Sequence, residues 1–126
     1  MATPRFTYPR AHHLKGKLTF AQTYEKSLVE SRGPLRIHAR PNDLPHSRLG
    51  LSVSRRVGTA PRRNLIKRRL RESFRLLQHD FPRGYDLIIV VRPHAPLLLA
   101  DYQRLLSSMV VKLHNAWLQR ERQKPE

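Results

Sequence analysis

Apolar and polar positions recur with two different periods along this chain. From Leu35 to Arg40 they alternate: Leu35, Ile37 and Ala39 fall on one side, Arg36, His38 and Arg40 on the other. That period of two predicts a half-buried strand. Leu49 to Ser54 alternates again, with Leu49, Leu51 and Val53 opposed to Gly50, Ser52 and Ser54. The second face is made of small residues, so a helix or a ligand backbone can come close. Pro41, Asn42, Asp43 and Pro45 fill the loop between, and the two strands are expected to form an antiparallel hairpin. Tyr85 to Arg92 is continuously apolar in its middle, as in a strand covered on both faces, and Pro93 and Pro96 end it.

Elsewhere the period is helical. Ile66, Leu70, Phe74 and Leu77 lie at i, i+4, i+8 and i+11, on one narrow face. Gly58 and Thr59 supply a turn and an N-cap, Pro61 suits the first turn, and the helix is expected to run to about His79. Pro82, Arg83 and Gly84 then make a turn. A last helix starts near Asp101, with a core stripe of Tyr102, Leu106, Met109, Leu113 and Trp117. Leu18 to Lys26 reads as a short helix with Thr19 as its N-cap. Phe20 and Tyr24, four apart, share a face there, and the residues alone read as core. A further short strand is expected near Leu28 to Ser31.

The order is α-β-β-α-β-α with that extra strand. It predicts a single two-layer α+β domain without internal repeats. Residues 17–118 form the domain. Residues 1–16, with Pro4, Pro9, Arg5, Arg10 and Lys15, read as a flexible basic arm, and residues 119–126 as a frayed polar tail. His12 and His13 are adjacent, do not share a face and have no third ligand nearby, so they read as solvated.

Charge changes the picture. There are 25 lysines and arginines against 9 acids, a net charge of +16. That is the footprint of a nucleic-acid partner, with an anionic membrane as competitor. No apolar run reaches the roughly 20 residues of a membrane span, and no signal-peptide core is visible at the N-terminus. Without cysteine there is no disulfide framework and no Cys-based zinc site. A cytoplasmic protein is expected. The charge is densest on the helix after Thr59, where Lys67, Arg71 and Arg75 form a ridge with Arg68 beside it. Glu72 is the one acid between Gly58 and Arg75. Like charges at i, i+4 repel by about 0.2–0.5 kcal/mol a pair, so the ridge points to a polyanion.

A protein-borne active site is not expected. Acids are few, and none makes a close pair that would hold two metals or divide acid and base roles. Gly58 stands alone rather than in a phosphate loop, and Ser52 and Ser54 lack a His–Asp arrangement.

Three blocks carry a resemblance. They are Gly50-Leu51-Ser52-Val53-Ser54-Arg55-Arg56-Val57-Gly58, then Arg63 to Glu72, then Tyr85-Asp86-Leu87-Ile88-Ile89-Val90-Val91-Arg92-Pro93. Together they resemble the bacterial ribonuclease P protein subunit over about Leu14 to Leu118. Leu65 stands where the family's signature has a second arginine, and Pro61 and Arg62 where it usually has apolar residues. The resemblance implies a fold like the second domain of ribosomal protein S5, with a left-handed β-α-β crossover against the usual right-handed rule. It implies that an RNA partner, with Mg²⁺ held mainly by that RNA, cuts the 5′ leader from precursor tRNA. The protein, one copy per RNA, would hold the catalytic RNA through Arg55, Arg56, Arg62, Arg63, Asn64, Lys67, Arg68, Arg71 and Arg75. The leader would lie in a cleft between the sheet and the first helix, against Phe20, Tyr24, His38, Ser52 and Ser54. Such roles suit phosphate contacts that position without reading sequence, and aromatics that stack on single-stranded bases. The rival class is a non-catalytic RNA binder of ribosomal type, which would leave leader removal unaffected.

Overall fold

The computed structural model describes Tyr8 and residues 10–123. The elements are α1 (Lys17–Glu25), β1 (Leu28–Arg32), β2 (Leu35–Pro41), β3 (Arg48–Val53), α2 (Ala60–Leu77), β4 (Tyr85–Val91) and α3 (Leu99–Arg122). Short 3-10 turns occupy Arg10–His12 and Arg55–Val57.

The apolar run of β4 takes the centre of a four-stranded sheet of order β1-β2-β4-β3. It pairs antiparallel with β2 and parallel with β3. This corrects the expected hairpin: β2 and β3 are not neighbours, because β4 lies between them. Alternation tells which side of a strand is buried, not which strand lies beside it. The strand buried on both faces takes the middle. The hairpin is instead β1–β2, closed where Arg32 faces Leu35 across Gly33 and Pro34, with Gly33 at φ 54.

One sheet face carries Leu35, Ile37, Ala39, Leu49, Tyr85, Leu87, Ile89 and Val91, all buried under α2 and α3. From α2 come Ile66, Leu70 and Phe74; from α3, Tyr102, Leu106, Met109, Val110 and Leu113. Thr59 caps α2 by accepting the Arg62 N–H at 3.4 Å. The Trp117 indole donates to the Ala39 carbonyl at 2.9 Å and ties the end of α3 to β2. Helix α3 continues through Arg122, so the expected frayed tail is helical over most of its described length. Residues 124–126 lie outside the described residues.

Helix α1 lies on the other face. Its N-cap is Gly16 at φ 94, not Thr19, which sits inside the first turn. The described part of the expected flexible arm is packed down. The Leu14 N–H donates to the Leu49 carbonyl at 2.9 Å, and its side chain is buried. Tyr8 stacks on His13, ring centroids 3.9 Å apart, and tilts against Phe74. A few isolated anchors do this, which no periodicity announces. Residues 1–7 and 9, also assigned to the arm, lie outside the described residues.

Candidate nucleic-acid interface

The burial of Ile66, Leu70, Ser73 and Phe74 fixes which way every cation on α2 points. Arg62, Asn64, Arg68 and Arg71 are exposed; Arg63, Lys67 and Arg75 are half-buried. Arg69 is turned away, its guanidinium donating to the Leu97 carbonyl and pinning the segment before α3. Glu72 binds Arg75, with the Arg75 Nε 3.0 Å from Glu72 Oε2. That hydrogen bond lowers the Glu72 pKa and raises that of Arg75. Among the described residues, Arg62, Arg63, Lys67, Arg68 and Arg71 have no carboxylate partner. The Nε of Arg63 is buried without a hydrogen-bond acceptor. Arg55 and Arg56 are exposed on the turn before α2, held by buried Val57. The Tyr8 phenol is pushed up to about 12 by burial, with the charge of Arg71 opposing. Of the cations expected from sequence, Lys67, Arg68, Arg71 and Arg75 share one side of α2, whereas Arg62 folds back against Gly58 and Arg63 has its Nε buried. Leu65 is half-buried at the edge of that side.

On the opposite face, register aligns His38, Ile88 and Gly50 across the sheet. Helix α1 lies over this row. Phe20, half-buried, occupies the space above Gly50, where an added Cβ would meet its Cζ at 2.6 Å. Tyr24 is 39% exposed and meets His38 edge-on, centroids 4.7 Å apart. Phe20 and Tyr24 are themselves edge-to-face at 6.3 Å. The His38 Nδ1 lies 3.1 Å from Ser27 Oγ, and its Nε2 is buried without a partner. Burial lowers the His38 pKa, and nearby Arg36 lowers it further. A shallow cavity beside α1 is lined by Gly16, Lys17, Phe20, Ala21 and Tyr24.

The next row of the sheet is Arg36, Val90 and Ser52, none of them buried. Of the five side chains expected together, Phe20, Tyr24 and His38 meet directly, and Ser52 lies one row away on the same face. Ser54 is past the end of β3, exposed at the start of the Arg55–Val57 turn. Arg36 and Val90 were not singled out from sequence, although Arg36 stands two residues from His38 and so on its side of the strand. The row on the other flank is closed: buried Asp86 accepts from Arg48 at 2.7 and 2.6 Å and from Asn42 at 2.9 Å. The hydrogen bond to Asp86 pushes the Arg48 pKa up.

A small α+β domain with a strongly basic helix on one side, and one half-buried and one exposed aromatic beside an open sheet row on the other, is an RNA-binding module in class. Comparison with family models matches residues 8–117 to Ribonuclease P. The ribonuclease P protein component of Photobacterium profundum is 53% identical over 76 residues, spanning 60% of this chain and 64% of that one. That of Desulfovibrio desulfuricans is 31% identical over 108 residues, spanning 84% of this chain and 83% of that one. The solved structure of a mutant Staphylococcus aureus RNase P protein superposes with a TM-score of 0.74 at 29% identity, covering 84% of this chain and 90% of that one. The chain belongs to the ribonuclease P protein family.

Proposed function

We propose that this chain acts as the RNA-binding protein component of ribonuclease P, the RNA-based endoribonuclease of tRNA processing. It works with the ribonuclease P RNA, which carries the chemistry of the cut. The α2 surface, with Arg55 and Arg56, meets that RNA through its phosphates. The 5′ leader of precursor tRNA lies across the open row beside α1, stacking on Tyr24 and the edge of Phe20. His38 and Ser52 contribute the floor, and Lys17 and Arg36 the charge. One protein serves one RNA, and the pair works in the cytoplasm; no helix among the described residues is long and apolar enough to cross a membrane.

The observation that carries this reading is the separation of the two surfaces by one sheet. A single flat basic face would hold one RNA; two faces of different chemistry suit a structured RNA and a single strand at once. Mg²⁺ belongs with the RNA. Among the described residues, Asp86 is occupied by Arg48 and Asn42, and Glu72 by Arg75, and no three potential metal ligands cluster. The test is precursor tRNA cleavage by the cognate catalytic RNA at low Mg²⁺, with and without this chain. Stimulation is expected, and cleavage by the protein alone, or no stimulation, would overturn the reading.

A further inference from the structure

A cavity of about 240 Å³ opens at the C-terminal end of α2, apart from both surfaces above. Its floor is apolar: Phe74 and Phe81 are buried, with ring centroids 6.2 Å apart. Its wall is a pair of imidazoles. His12, from the N-terminal turn, stacks on His46, from the loop between β2 and β3, with centroids 4.4 Å apart and planes 25° from parallel. His46 Nε2 lies 3.2 Å from the Ala11 carbonyl oxygen, which ties the loop to the turn. Burial lowers the His12 pKa, and His46 and His13 lower it further, which favours the neutral stack. Exposed Arg83 stands at the mouth.

Flat π surfaces, an apolar floor and a guanidinium at the opening are the complement of a nucleotide. A base stacks on planar side chains, while its phosphate meets the cation. A bare polyanion would gain nothing from the phenylalanine floor. An aliphatic ligand would gain nothing from Arg83. Position agrees with chemistry. Gln78, in the cavity lining, directly follows the last residue of α2, so the cavity lies at the end of the helix that carries the cations. The last carbonyls of α2 carry partial negative charge, which favours the amino groups of a base over a phosphate in the interior.

We infer that this cavity receives one unstacked nucleobase of bound RNA, with Arg83 on the adjoining phosphate. The inference rests on α2 being an RNA-binding surface. The nucleotide can belong to the catalytic RNA or to the tRNA, and the experiment separates them. The full chain is titrated with each nucleoside 5′-monophosphate, and with inorganic phosphate, while the aromatic ring signals are followed by NMR. Nucleotides should shift the rings of Phe74, Phe81, His12 and His46; phosphate alone should not. His46→Ala and Arg83→Ala should each weaken binding by about tenfold, the low end of a lost stacking contact. Arg104→Ala, near the start of α3 and beside Arg32 at the opposite end of the sheet from Tyr85, controls for loss of charge and should change nothing here. The same variants are then assayed against catalytic RNA and against precursor tRNA, and the RNA whose affinity falls is the source. If nucleotides shift no cavity ring up to their solubility limit, and both variants bind both RNAs as the parent does, the cavity proposal is overturned. Should Arg68→Ala still weaken RNA binding in that case, the role of α2 would stand alone; should it not, both would fall.

Discussion

Gly50→Ala is the substitution that most directly questions how α1 is seated. A Cβ built on Gly50 lies 2.6 Å from Phe20 Cζ, 2.9 Å from Phe20 Cε1 and 3.3 Å from Leu14 Cβ. Ordinary carbon contacts begin near 3.5 Å, so the ring must retreat by about 1 Å. Leu14 Cβ, 3.3 Å from the added carbon, tightens the site further, and the displaced ring is expected to carry α1 with it. Overpacking of this kind costs about 1–3 kcal/mol. The loss of glycine's freedom in the unfolded chain returns about 0.4–1 kcal/mol. The expected net destabilisation is about 1–2 kcal/mol, or a fall in melting temperature of about 4–8 °C for a domain of this size. The assay is a thermal melt paired with affinities for precursor and mature tRNA. Lifting Phe20 also tilts Tyr24 away from His38, so the precursor should lose affinity and the mature form should not. Phe20→Leu in the Gly50→Ala background should recover stability, giving a coupling of at least about 0.5 kcal/mol in the double-mutant cycle. A Gly50→Ala protein that melts with the parent and binds precursor equally well would refute the seating of α1 on this row.

Other outcomes follow from the same geometry. Arg68→Ala and Arg71→Ala should each flatten the log–log salt dependence of catalytic-RNA binding by about 0.7–0.9, and an unchanged slope would make the α2 surface a merely solvated face. Leu65→Arg, at the half-buried edge of that surface, should tighten RNA binding without lowering the melting temperature; a clear drop in melting temperature would mean Leu65 is a packing residue. Asp86→Asn leaves Arg48 without its counter-charge beside a buried site, and urea unfolding should show a loss of about 3 kcal/mol. Because burial holds the His38 pKa below its ordinary 6.5, folding favours the neutral ring. Its contribution should be full above about pH 6.5 and be lost as pH falls through the lowered folded value, and His38→Phe should remove part of that acid sensitivity.

The parts of the fold legible in the sequence are those where a residue's own face decides. Tyr85 to Val91 reads as a central strand because nothing polar except Asp86 interrupts it, and Asp86 is accommodated by Arg48. The stripes of α2 and α3 read correctly because burial on one side imposes the helical period. Pairing was not legible in the same way. Leu35–Arg40 and Leu49–Ser54 carry equivalent alternation, and alternation is blind to the neighbour. The Gly33-Pro34 turn, two residues between β1 and β2, was the local signal for the true hairpin. At the N-terminus, Leu14 and Tyr8 act singly, and a single anchor leaves no pattern.

The site divides along the same line. Which cations of α2 face outward follows from the positions of Ile66, Leu70 and Phe74, so that surface was legible once the helical period was known. The diversion of Arg69 was not, because its acceptor, the Leu97 carbonyl, stands 28 residues further along the chain. On the other face, Phe20 and Tyr24 share a helix side with one spacing but not one environment. Phe20 rests on Gly50, whereas Tyr24 overhangs His38 and remains 39% exposed. Spacing alone offered only core or cleft for the pair. The small face of β3 held the missing information, since a missing Cβ is what lets an aromatic come down onto a sheet. One ring can anchor the helix there, and the next, a turn further on, is left at the edge of the open row. Phe20 thus anchors α1 on the sheet, while Tyr24, proposed to meet the leader, stays exposed beside the uncovered row of Arg36, Val90 and Ser52.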